Sequence, residues 1–243
     1  MLEKFATPGT PGVNLLHAHT RRFRKGETII HAGSEVHEWI AISKGVVFVS
    51  SAAAAGTKVA VATLWSGDIV GRGSPLGASV ASYDVQALVD VETIALSGAG
   101  PRASAPEDLV DLYTATAARL NRQIAVRLAG NGPQRLVSAL ATLGSALFHG
   151  RVSTHHAQSL PIPVGQAFVG QLSGLSRRQV WTYIGKFSEA GWIQTSRTSV
   201  TLQNVSAWLA IHGEVNARGL RCIATIATAI ETLERSMARG TGV

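Results

Sequence analysis

Short apolar segments separated by glycines fill the first hundred residues of the chain. Between residues 24 and 96, six such segments follow one another at fairly even spacing. They occupy residues 28–30, 39–42, 46–49, 59–62, 84–87 and 93–96. Segments this short, broken by turn residues, are typical of a β-roll in which two sheets close on each other.

The pattern changes to a helical period after residue 104. Ser104, Pro106 and Glu107 combine a cap, a proline in the first turn and a glutamate three residues after the serine, which together predict a helix start. About 25 residues at 1.5 Å each give a rod of about 37 Å, too long for one small β domain to cover. We therefore predict a dimer interface along its stripe, made of Leu109, Leu112, Tyr113, Thr116, Leu120, Ile124 and Leu128.

A tight turn between two short helices is predicted over residues 164–193. Residues 130–133, Gly-Asn-Gly-Pro, end the long helix and form the predicted hinge, and a further helix follows over 134–147. Gly174 is suited to the left-handed conformation that ends one helix so that the next leaves at a steep angle. Ser176 and Gln179 then have the spacing of a capping box at the start of the second helix.

The second helix of this helix-turn-helix is predicted to expose basic and aromatic side chains. Two arginines in its first turn suit the major groove of DNA, where a guanidinium binds O6 and N7 of guanine together. The alternative is an ordinary helical hairpin with a solvated basic face. Residues 192–194 and 199–202 predict a hairpin wing behind it. The predicted DNA-contacting residues are Ser176, Arg177, Arg178, Gln179, Trp181, Thr182, Lys186 and Arg197. Trp181 would either contact the DNA or pack on the wing.

The positive charge is concentrated in the same part of the chain. The net charge is +7 over 243 residues, and residues 131–243 carry ten Lys and Arg against four Asp and Glu. Residues 1–104 are nearly balanced, with nine against eight. This asymmetry favours a polyanionic partner for the C-terminal part.

Cys222 is the single cysteine, which excludes an iron–sulfur cluster held by four cysteines of one chain and fits a reducing cytoplasm. The sequence shows no signal peptide and no membrane-spanning segment, so we expect a cytoplasmic location and no membrane association.

The order of these parts resembles the CRP/FNR family of bacterial transcription regulators over residues 22–210. The matching motifs are KGE at 25–27, HAG at 31–33, ISKG at 42–45, GDIVG at 67–71, GLSR at 174–177 and EAGWI at 189–193. The resemblance implies an α+β fold: an N-terminal, jelly-roll-like double-sheet β-roll, a long dimerisation helix and a C-terminal winged helix-turn-helix, to which this chain adds an extra C-terminal helix.

We therefore predict an arm at 1–20, a sensor β-roll like the cyclic nucleotide-binding domain at 21–104, the dimerisation helix at 105–130, the winged helix-turn-helix at 131–212 and a C-terminal extension at 213–243. The resemblance implies only the middle three of these. The resemblance further implies a homodimer that binds a two-fold-related site on double-stranded DNA and contacts RNA polymerase.

The effector region departs from the family. Members that bind cyclic nucleotides have glutamate after the second glycine of the roll and arginine about nine residues later. An ungapped alignment on Gly71 puts Arg72 and Ala81 at these positions. Burying a phosphate without a paired cation is costly, so we predict that cyclic AMP does not bind in the usual way, although Arg72 suits a differently oriented anion. A pocket for an unknown small effector, if one exists, would include Gly71, Arg72, Gly73, Ser74, Ala81, Ser82 and Tyr83.

The DNA-reading helix departs as well. Arg178 stands where the family often has glutamate, and Thr182 where it has a second arginine. Because arginine cannot accept a hydrogen bond from cytosine, the half-site should differ from the best-known family sequence.

Beyond the resemblance, an apolar stripe from Val215 to Met237 predicts a C-terminal helix. This helix would dock on its own subunit, or else serve as a dimer contact or a lid.

Two other classes of protein remain as alternatives. The first is a roll that binds a partner or ligand while its helix-turn-helix is only structural. The second is a cupin-like metalloenzyme, suggested by His17 and His19 ahead of a β-roll. The third histidine and the glutamate spacing of cupins are absent, and the sequence contains no nucleophile-elbow or phosphate-loop motif. We therefore predict that the protein is not an enzyme and that it has no metal site and no resident cofactor.

Overall fold

The computed structural model describes residues 16–52, 58–72, 79–98, 107–149, 158–218 and 223–240. The chain divides into two compact units, Met1–Asn121 and Arg122–Val243. The boundary between them lies inside the long helix, whereas the sequence predicted a hinge at residues 130–133. None of the helices described is both long and apolar enough to cross a membrane.

Antiparallel strands build the N-terminal unit. They are β1 Leu16–Phe23, β2 Thr28–Ile30, β3 Glu35–Val36, β4 Trp39–Lys44, β5 Val46–Ala52, β6 Lys58–Trp65, β7 Ile69–Gly71, β8 Ser79–Val80, β9 Asp84–Ala87 and β10 Val91–Gly98, followed by the long helix α1 Glu107–Ala129. One four-stranded sheet has the order β1-β10-β4-β7 and the other has the order β2-β9-β5-β6, while β3 and β8 form a separate pair. The predicted α+β class with an N-terminal double-sheet roll is confirmed.

Alternate residues of the strands form the core of this unit. Ile42, Val47, Leu64 and Val85 are fully buried, and they come from strands of both four-stranded sheets. Because successive side chains of a strand point to opposite faces, each short apolar segment contributes only a few residues to this core. The six predicted segments all coincide with strands, while β3 and β8, of two residues each, are too short to give a signal of their own.

Strand β1 corrects the predicted boundary of the N-terminal arm. It begins at Leu16 and pairs with β10 along its whole length, so the sheet includes residues 16–20, which the sequence analysis assigned to an arm. His17 and His19 alternate with Ala18 along this strand, and His19 Nε2 lies 3.6 Å from a carboxylate oxygen of Glu38. The predicted arm at residues 1–15 lies outside the described residues.

A buried polar cluster attaches α1 to the β-roll. The Asp68 carboxylate, whose side chain is only 1% exposed, accepts hydrogen bonds from the Trp65 N–H at 2.9 Å and from Arg119 Nη1 at 3.0 Å. The Arg119 guanidinium also lies 4.0 Å from the centroid of a Trp65 ring, a cation–π contact. Thr116 Oγ1 accepts from the Ile69 N–H at 3.0 Å. Burial raises the pKa of Asp68, and the hydrogen bond from Trp65 and the charge of Arg119 oppose that rise.

These contacts correct the predicted dimer stripe of α1. Leu109 and Thr116 are buried against their own roll, and Leu112 and Leu120 pack against the same unit. The prediction that these residues face a second subunit was therefore wrong for Leu109 and Thr116. The large apolar side chains that stay exposed along the described part of α1 are Val110, Tyr113, Ile124 and Leu128, the last with 80% of its surface accessible.

The C-terminal unit is built around one central helix. Its elements are α2 Gly132–His149, β11 Ser159–Ile162, α3 Gln166–Ser173, α4 Arg177–Glu189, β12 Ile193–Thr195, β13 Val200–Gln203, α5 Val205–Arg218 and α6 Ile226–Gly240. Helix α2 contacts α3, α4, α5, α6 and β11, and its Leu136, Leu140 and Leu143 are fully buried. The apolar spacing that predicted this helix therefore marks the core of the unit.

Strand β11 was missed at the sequence level. It adds a third strand to the predicted two-stranded wing, in the order β11-β13-β12. Leu160 and Ile162 are buried while Ser159 and Pro161 are exposed, which is the alternation of a strand. Proline is tolerated there because β11 lies at the edge of the sheet.

Candidate nucleic-acid interface

The turn between α3 and α4 has the geometry that the glycine predicted. Gly174 adopts the left-handed conformation, with φ 64° and ψ 30°. Its N–H donates to the Gln171 carbonyl and the Leu175 N–H donates to the Gly170 carbonyl, so two of the free carbonyls at the end of α3 are satisfied. Gly170 also allows the close approach of the helices, since an added Cβ would lie 3.3 Å from Val180 Cγ2.

A reciprocal capping box starts α4. The Gln179 N–H donates to Ser176 Oγ at 3.3 Å, and the Ser176 N–H donates to Gln179 Oε1 at 3.0 Å. The cap predicted from the spacing of Ser176 and Gln179 is thus present. Because these side chains are engaged with the backbone, their first role is to fix where α4 begins, and their predicted contact with DNA stays a prediction.

Helix α4 has one buried and one exposed face. Val180, Ile184 and Phe187 are buried, and Tyr183 is half-buried. The exposed residues include all the remaining DNA-contact candidates on this helix: Arg177, Arg178, Trp181, Thr182 and Lys186. The helix-turn-helix therefore presents a basic face with one aromatic residue at its centre.

Trp181 is the most unusual residue of this face. It is 70% exposed, although tryptophan is among the side chains that bury most surface in folded proteins. The alternative that Trp181 packs on the wing was wrong, because a packed indole would be largely covered. An exposed indole offers a flat apolar surface to a thymine methyl or to the sugar backbone of a nucleic acid.

The wing has a short turn held by two serines. The Ser196 N–H donates to the Ser199 carbonyl at 2.9 Å, and the N–H groups of Thr198 and Ser199 donate to Ser196 Oγ at 3.3 and 3.1 Å. Arg197 lies within this turn and is exposed. The predicted wing is therefore present, and its turn leaves the arginine side chain in solvent.

The four cations of this surface form no ion pairs with other described residues. Arg177, Arg178, Lys186 and Arg197 are all exposed, and the ion pairs among described residues involve other groups. A positive surface without internal partners attracts a polyanion and loses that attraction as salt increases. Together, these side chains can bind phosphates and read base edges.

Two further arginines lie behind the turn. Arg135 Nη1 donates to the Gly174 carbonyl at 3.1 Å, and a Cβ at Gly174 would lie 3.1 Å from Arg127 Nε. Burial lowers the pKa of Arg127, and the neighbouring charge of Arg135 lowers it further. No local sequence motif marks either residue. Neither residue lies in the helix-turn-helix sequence, so only the fold brings them to it.

The predicted effector region is partly described. Gly71 has φ 107°, and a side chain there would clash with the Glu38 carbonyl oxygen. Arg72 is buried, with its guanidinium 5.1 Å from the centroid of the Trp39 ring. Ala81 and Tyr83 pack against the core of the roll, and Ser82 is exposed. Gly73 and Ser74 lie outside the described residues.

Tyr83 lies near Gly71 of this region and near Tyr113 of α1. Burial raises the pKa of its hydroxyl, the nearby Tyr113 adds to the rise, and a hydrogen bond with the backbone of Gly71 opposes it. The structure thus brings Gly71 and Tyr83 together, whereas the Arg72 side chain stacks on an aromatic ring. Among the described residues, no group of three or more His, Cys, Asp and Glu side chains is placed to hold a metal ion.

Comparison with known proteins identifies the fold. Residues 20–100 match the cyclic nucleotide-binding domain family. The CRP/FNR-family transcriptional regulator TTHA1359 of Thermus thermophilus matches with a TM-score of 0.62 and 19% identity, over 80% of this chain and 98% of that one. The CRP-family regulator TTHB099 of the same organism matches with a TM-score of 0.63 and 20% identity, over 79% of this chain and 96% of that one. FixK2 of Bradyrhizobium japonicum matches with a TM-score of 0.58 and 18% identity, over 79% of this chain and 96% of that one. No curated protein matches the sequence.

The predicted resemblance is therefore confirmed. Residues 20–100 are similar to the cyclic nucleotide-binding domain, and the chain shares the fold of CRP/FNR transcription regulators over about four fifths of its length. These solved structures are covered almost completely, so the remaining fifth of this chain is additional to them.

Proposed function

We propose that the protein is a homodimeric, sequence-specific DNA-binding transcription regulator that acts without catalysis and does not respond to cyclic AMP in the usual way. The observation that carries this proposal is the exposed basic face of α4, with Arg177, Arg178 and Lys186 around Trp181. A helix used only for packing has no need of an exposed indole among cations that lack ion-pair partners in the described structure. DNA offers phosphates for the cations and base edges for the first turn of the helix.

The exposed stripe of α1 supports a dimer. Val110, Tyr113, Ile124 and Leu128 recur at helical spacing and are all exposed. Burying them against the same stripe of a second copy would remove this apolar surface from water, and a two-fold interface is the simplest self-complementary arrangement. A dimer would offer two copies of α4, which we call the recognition helix, to two half-sites about 34 Å apart, one turn of DNA. The dimer would work in the cytoplasm and contact RNA polymerase, as the shared fold suggests.

The chemistry around Gly71 supports an altered effector response. Arg72 stands where a carboxylate acceptor is expected and stacks on Trp39, while Ala81 provides no cation for a phosphate. A cyclic nucleotide placed there in the usual orientation would lose both partners, and an unpaired buried phosphate is strongly unfavourable. A different small anion, or no effector at all, is compatible with this arrangement.

Selection of bound DNA from a random pool tests the proposal. The purified full-length protein is incubated with the pool, with and without cyclic AMP, and the retained DNA is sequenced. We expect enrichment of an inverted repeat that does not depend on cyclic AMP. Enrichment only with cyclic AMP would overturn the effector part, and a single half-site would overturn the dimer.

The absence of any enriched sequence would overturn DNA reading altogether. In that case, metal analysis of the same sample would separate the two remaining alternatives. Bound metal would favour the cupin-like alternative, and metal-free protein would favour a roll that binds a partner or ligand. The variant Arg177→Ala is carried through the same selection as a control. It keeps the other cations of the surface, so enrichment that is caused by charge alone would be nearly the same in this variant.

A further inference from the structure

The C-terminal helix α6 is part of the same unit as the helix-turn-helix. It starts with its own reciprocal cap, in which the Thr228 N–H donates to Thr225 Oγ1 at 3.2 Å and the Thr225 N–H donates to Thr228 Oγ1 at 2.9 Å. Ile226, Ala229 and Leu233 are buried on its inner face. Helix α6 contacts α5, α4 and α2, so it packs on the recognition helix as well as on the central helix.

One asparagine joins the start of α6 to the start of α2. Asn131 precedes α2, and its Oδ1 accepts from the Gln134 N–H at 2.9 Å, while its own N–H donates to Gln134 Oε1 at 2.8 Å. This is a second capping box. The Asn131 side chain has a further group, Nδ2, which donates to the Ala224 carbonyl at 3.0 Å. Ala224 immediately precedes the cap of α6, so a single side chain connects two helix N-termini.

The same end of α2 touches the recognition helix. Gly132 lies so close to Tyr183 of α4 that an added Cβ would be 2.7 Å from its hydroxyl oxygen. One turn further, Arg135 donates to the Gly174 carbonyl in the turn before α4. Two residues of the predicted hinge, Asn131 and Gly132, therefore contact the segment that starts α6 and helix α4, respectively.

We propose that Asn131 is a positioning residue through which the C-terminal helix holds the recognition helix in its DNA-binding orientation. The inference rests on the proposed DNA-binding function and deepens it by assigning a role to the C-terminal extension. A cap alone does not require asparagine, because aspartate caps a helix equally well and also suits its positive end. The amide Nδ2 is what asparagine adds, and in this structure it binds Ala224.

The substitution Asn131→Asp separates the two roles. It retains an oxygen that accepts from the Gln134 N–H and removes the donor to Ala224, whereas Asn131→Ala removes both. The matched control is Gln134→Glu, which adds the same charge in the first turn of α2 and keeps the acceptor of a capping box. Thermal unfolding of each full-length variant is recorded first, and we expect Asn131→Asp to unfold close to the wild type.

Hydrogen exchange and DNA affinity are then measured on the same proteins. For Asn131→Asp we expect faster amide exchange at the start of α6 and in α4, and a loss of about two- to ten-fold in affinity for the selected site, the range of one lost hydrogen bond. Binding to random DNA should fall no more than it does for Gln134→Glu. If Asn131 were only a cap, its substitution would leave the ratio between the affinities for the selected site and for random DNA unchanged.

Wild-type exchange in α4 together with a wild-type ratio of specific to random binding would overturn the proposal. An equal fall of specific and random binding in Asn131→Asp would also overturn it, because the added charge then explains the effect. If the wild type selects no DNA, the proposed function fails, and with it the DNA-binding part of this inference. The exchange of α4 amides then shows independently whether Asn131 connects α6 to the recognition helix.

Discussion

Two groups of cations, one in each unit of the chain, are used in opposite ways. In the N-terminal unit, Arg119 lies between Asp68 and the ring of Trp65, Lys58 pairs with Asp84 at 2.9 Å, and Arg72 stacks on Trp39. In the C-terminal unit, Arg177 and Lys186 are exposed and form no ion pair with a described residue. Cations of the first kind hold the unit together, and those of the second kind are available to another molecule.

The difference shows why net charge alone is a weak guide to function. The N-terminal part has nearly as many cations as the C-terminal part, but nearby carboxylates and aromatic rings already hold several of them. An excess of charge points to a polyanion only where the cations are exposed and the local acids are too few to neutralise them. Substitutions of Arg119, Arg177 and Lys58 test this division, and a substitution of Ser176 tests the start of the helix that carries Arg177; they follow from the largest expected effect to the smallest.

The largest effect is expected from Arg119→Ala. It leaves the buried Asp68 carboxylate without its cation, which typically costs about 3 kcal/mol of the free energy of unfolding. Burial already raises the pKa of Asp68, and loss of Arg119 would raise it further. Because a raised pKa means that protonation favours the folded state, the loss should be greatest at neutral pH and shrink as the pH falls through that pKa. Urea unfolding at neutral and mildly acidic pH measures the loss of free energy of unfolding and its dependence on pH.

The control for this prediction is Arg122→Ala, an exposed arginine on the same helix. Its free energy of unfolding should stay within about 0.5 kcal/mol of the wild type at either pH. An Arg119→Ala variant that loses the same free energy at both pH values would contradict the link to Asp68.

A smaller effect, on binding and not on stability, is expected from Arg177→Ala. It should lose about 1–3 kcal/mol of affinity for the selected DNA site and relax the preference for one base pair. Lys186→Ala should instead weaken binding to all sequences alike and reduce the dependence on salt. Fluorescence anisotropy with specific and random duplexes measures the two losses. Equal losses on both duplexes for Arg177→Ala would remove its role in base reading.

The next effect is expected at the cap of α4. Ser176→Ala removes the hydroxyl that accepts from the Gln179 N–H and should cost about 1 kcal/mol of the free energy of unfolding. Ser176→Asp keeps an acceptor at the same position and should stay near the wild type in unfolding experiments. If both variants unfold alike and below the wild type, the cap does not contribute in the way that its geometry suggests.

The smallest effect is expected from Lys58→Ala. Lys58 is 64% exposed, so its ion pair with Asp84 should contribute less than about 1 kcal/mol. The hydrogen bond with Lys58 is the main cause that lowers the pKa of Asp84, and the Ala32 N–H adds to it. Because the pKa is lowered, this contribution is present above the usual carboxylate range and is lost as the pH falls through the lowered value. A loss as large as that of Arg119→Ala would contradict the contrast between exposed and buried pairs.

Much of the candidate interface could be predicted because its signals are local. A glycine in the left-handed conformation at Gly174, a serine and a glutamine three residues apart, and apolar residues at helical spacing act within one or two turns of helix. The wing turn was predictable for the same reason. Strand β11 was not, since its four residues form a strand only when they pair with β13 about forty positions later in the chain.

The long helix α1 has two apolar faces that its sequence period does not distinguish. Period 3.6 located the stripe of α1, but it does not tell whether Leu109 meets its own roll or another subunit. Thr116 looked like one more position of that stripe, and it instead accepts a backbone hydrogen bond from Ile69, which is 47 residues away. Which side of a helix is covered is decided by contacts with distant elements.

By itself, the sequence determined the order of the parts: a β-roll, a long helix, a helix-turn-helix, a wing and a further helix. It also determined where α4 starts, because caps and turns depend on neighbouring residues. Only the tertiary structure decided that Arg119 is held internally, that Arg135 contacts the turn at Gly174, and that Asn131 binds Ala224, which is 93 residues away. Local hydrogen bonds and periodicity are present in any short window of sequence, whereas these contacts exist only when chain folding brings distant segments together.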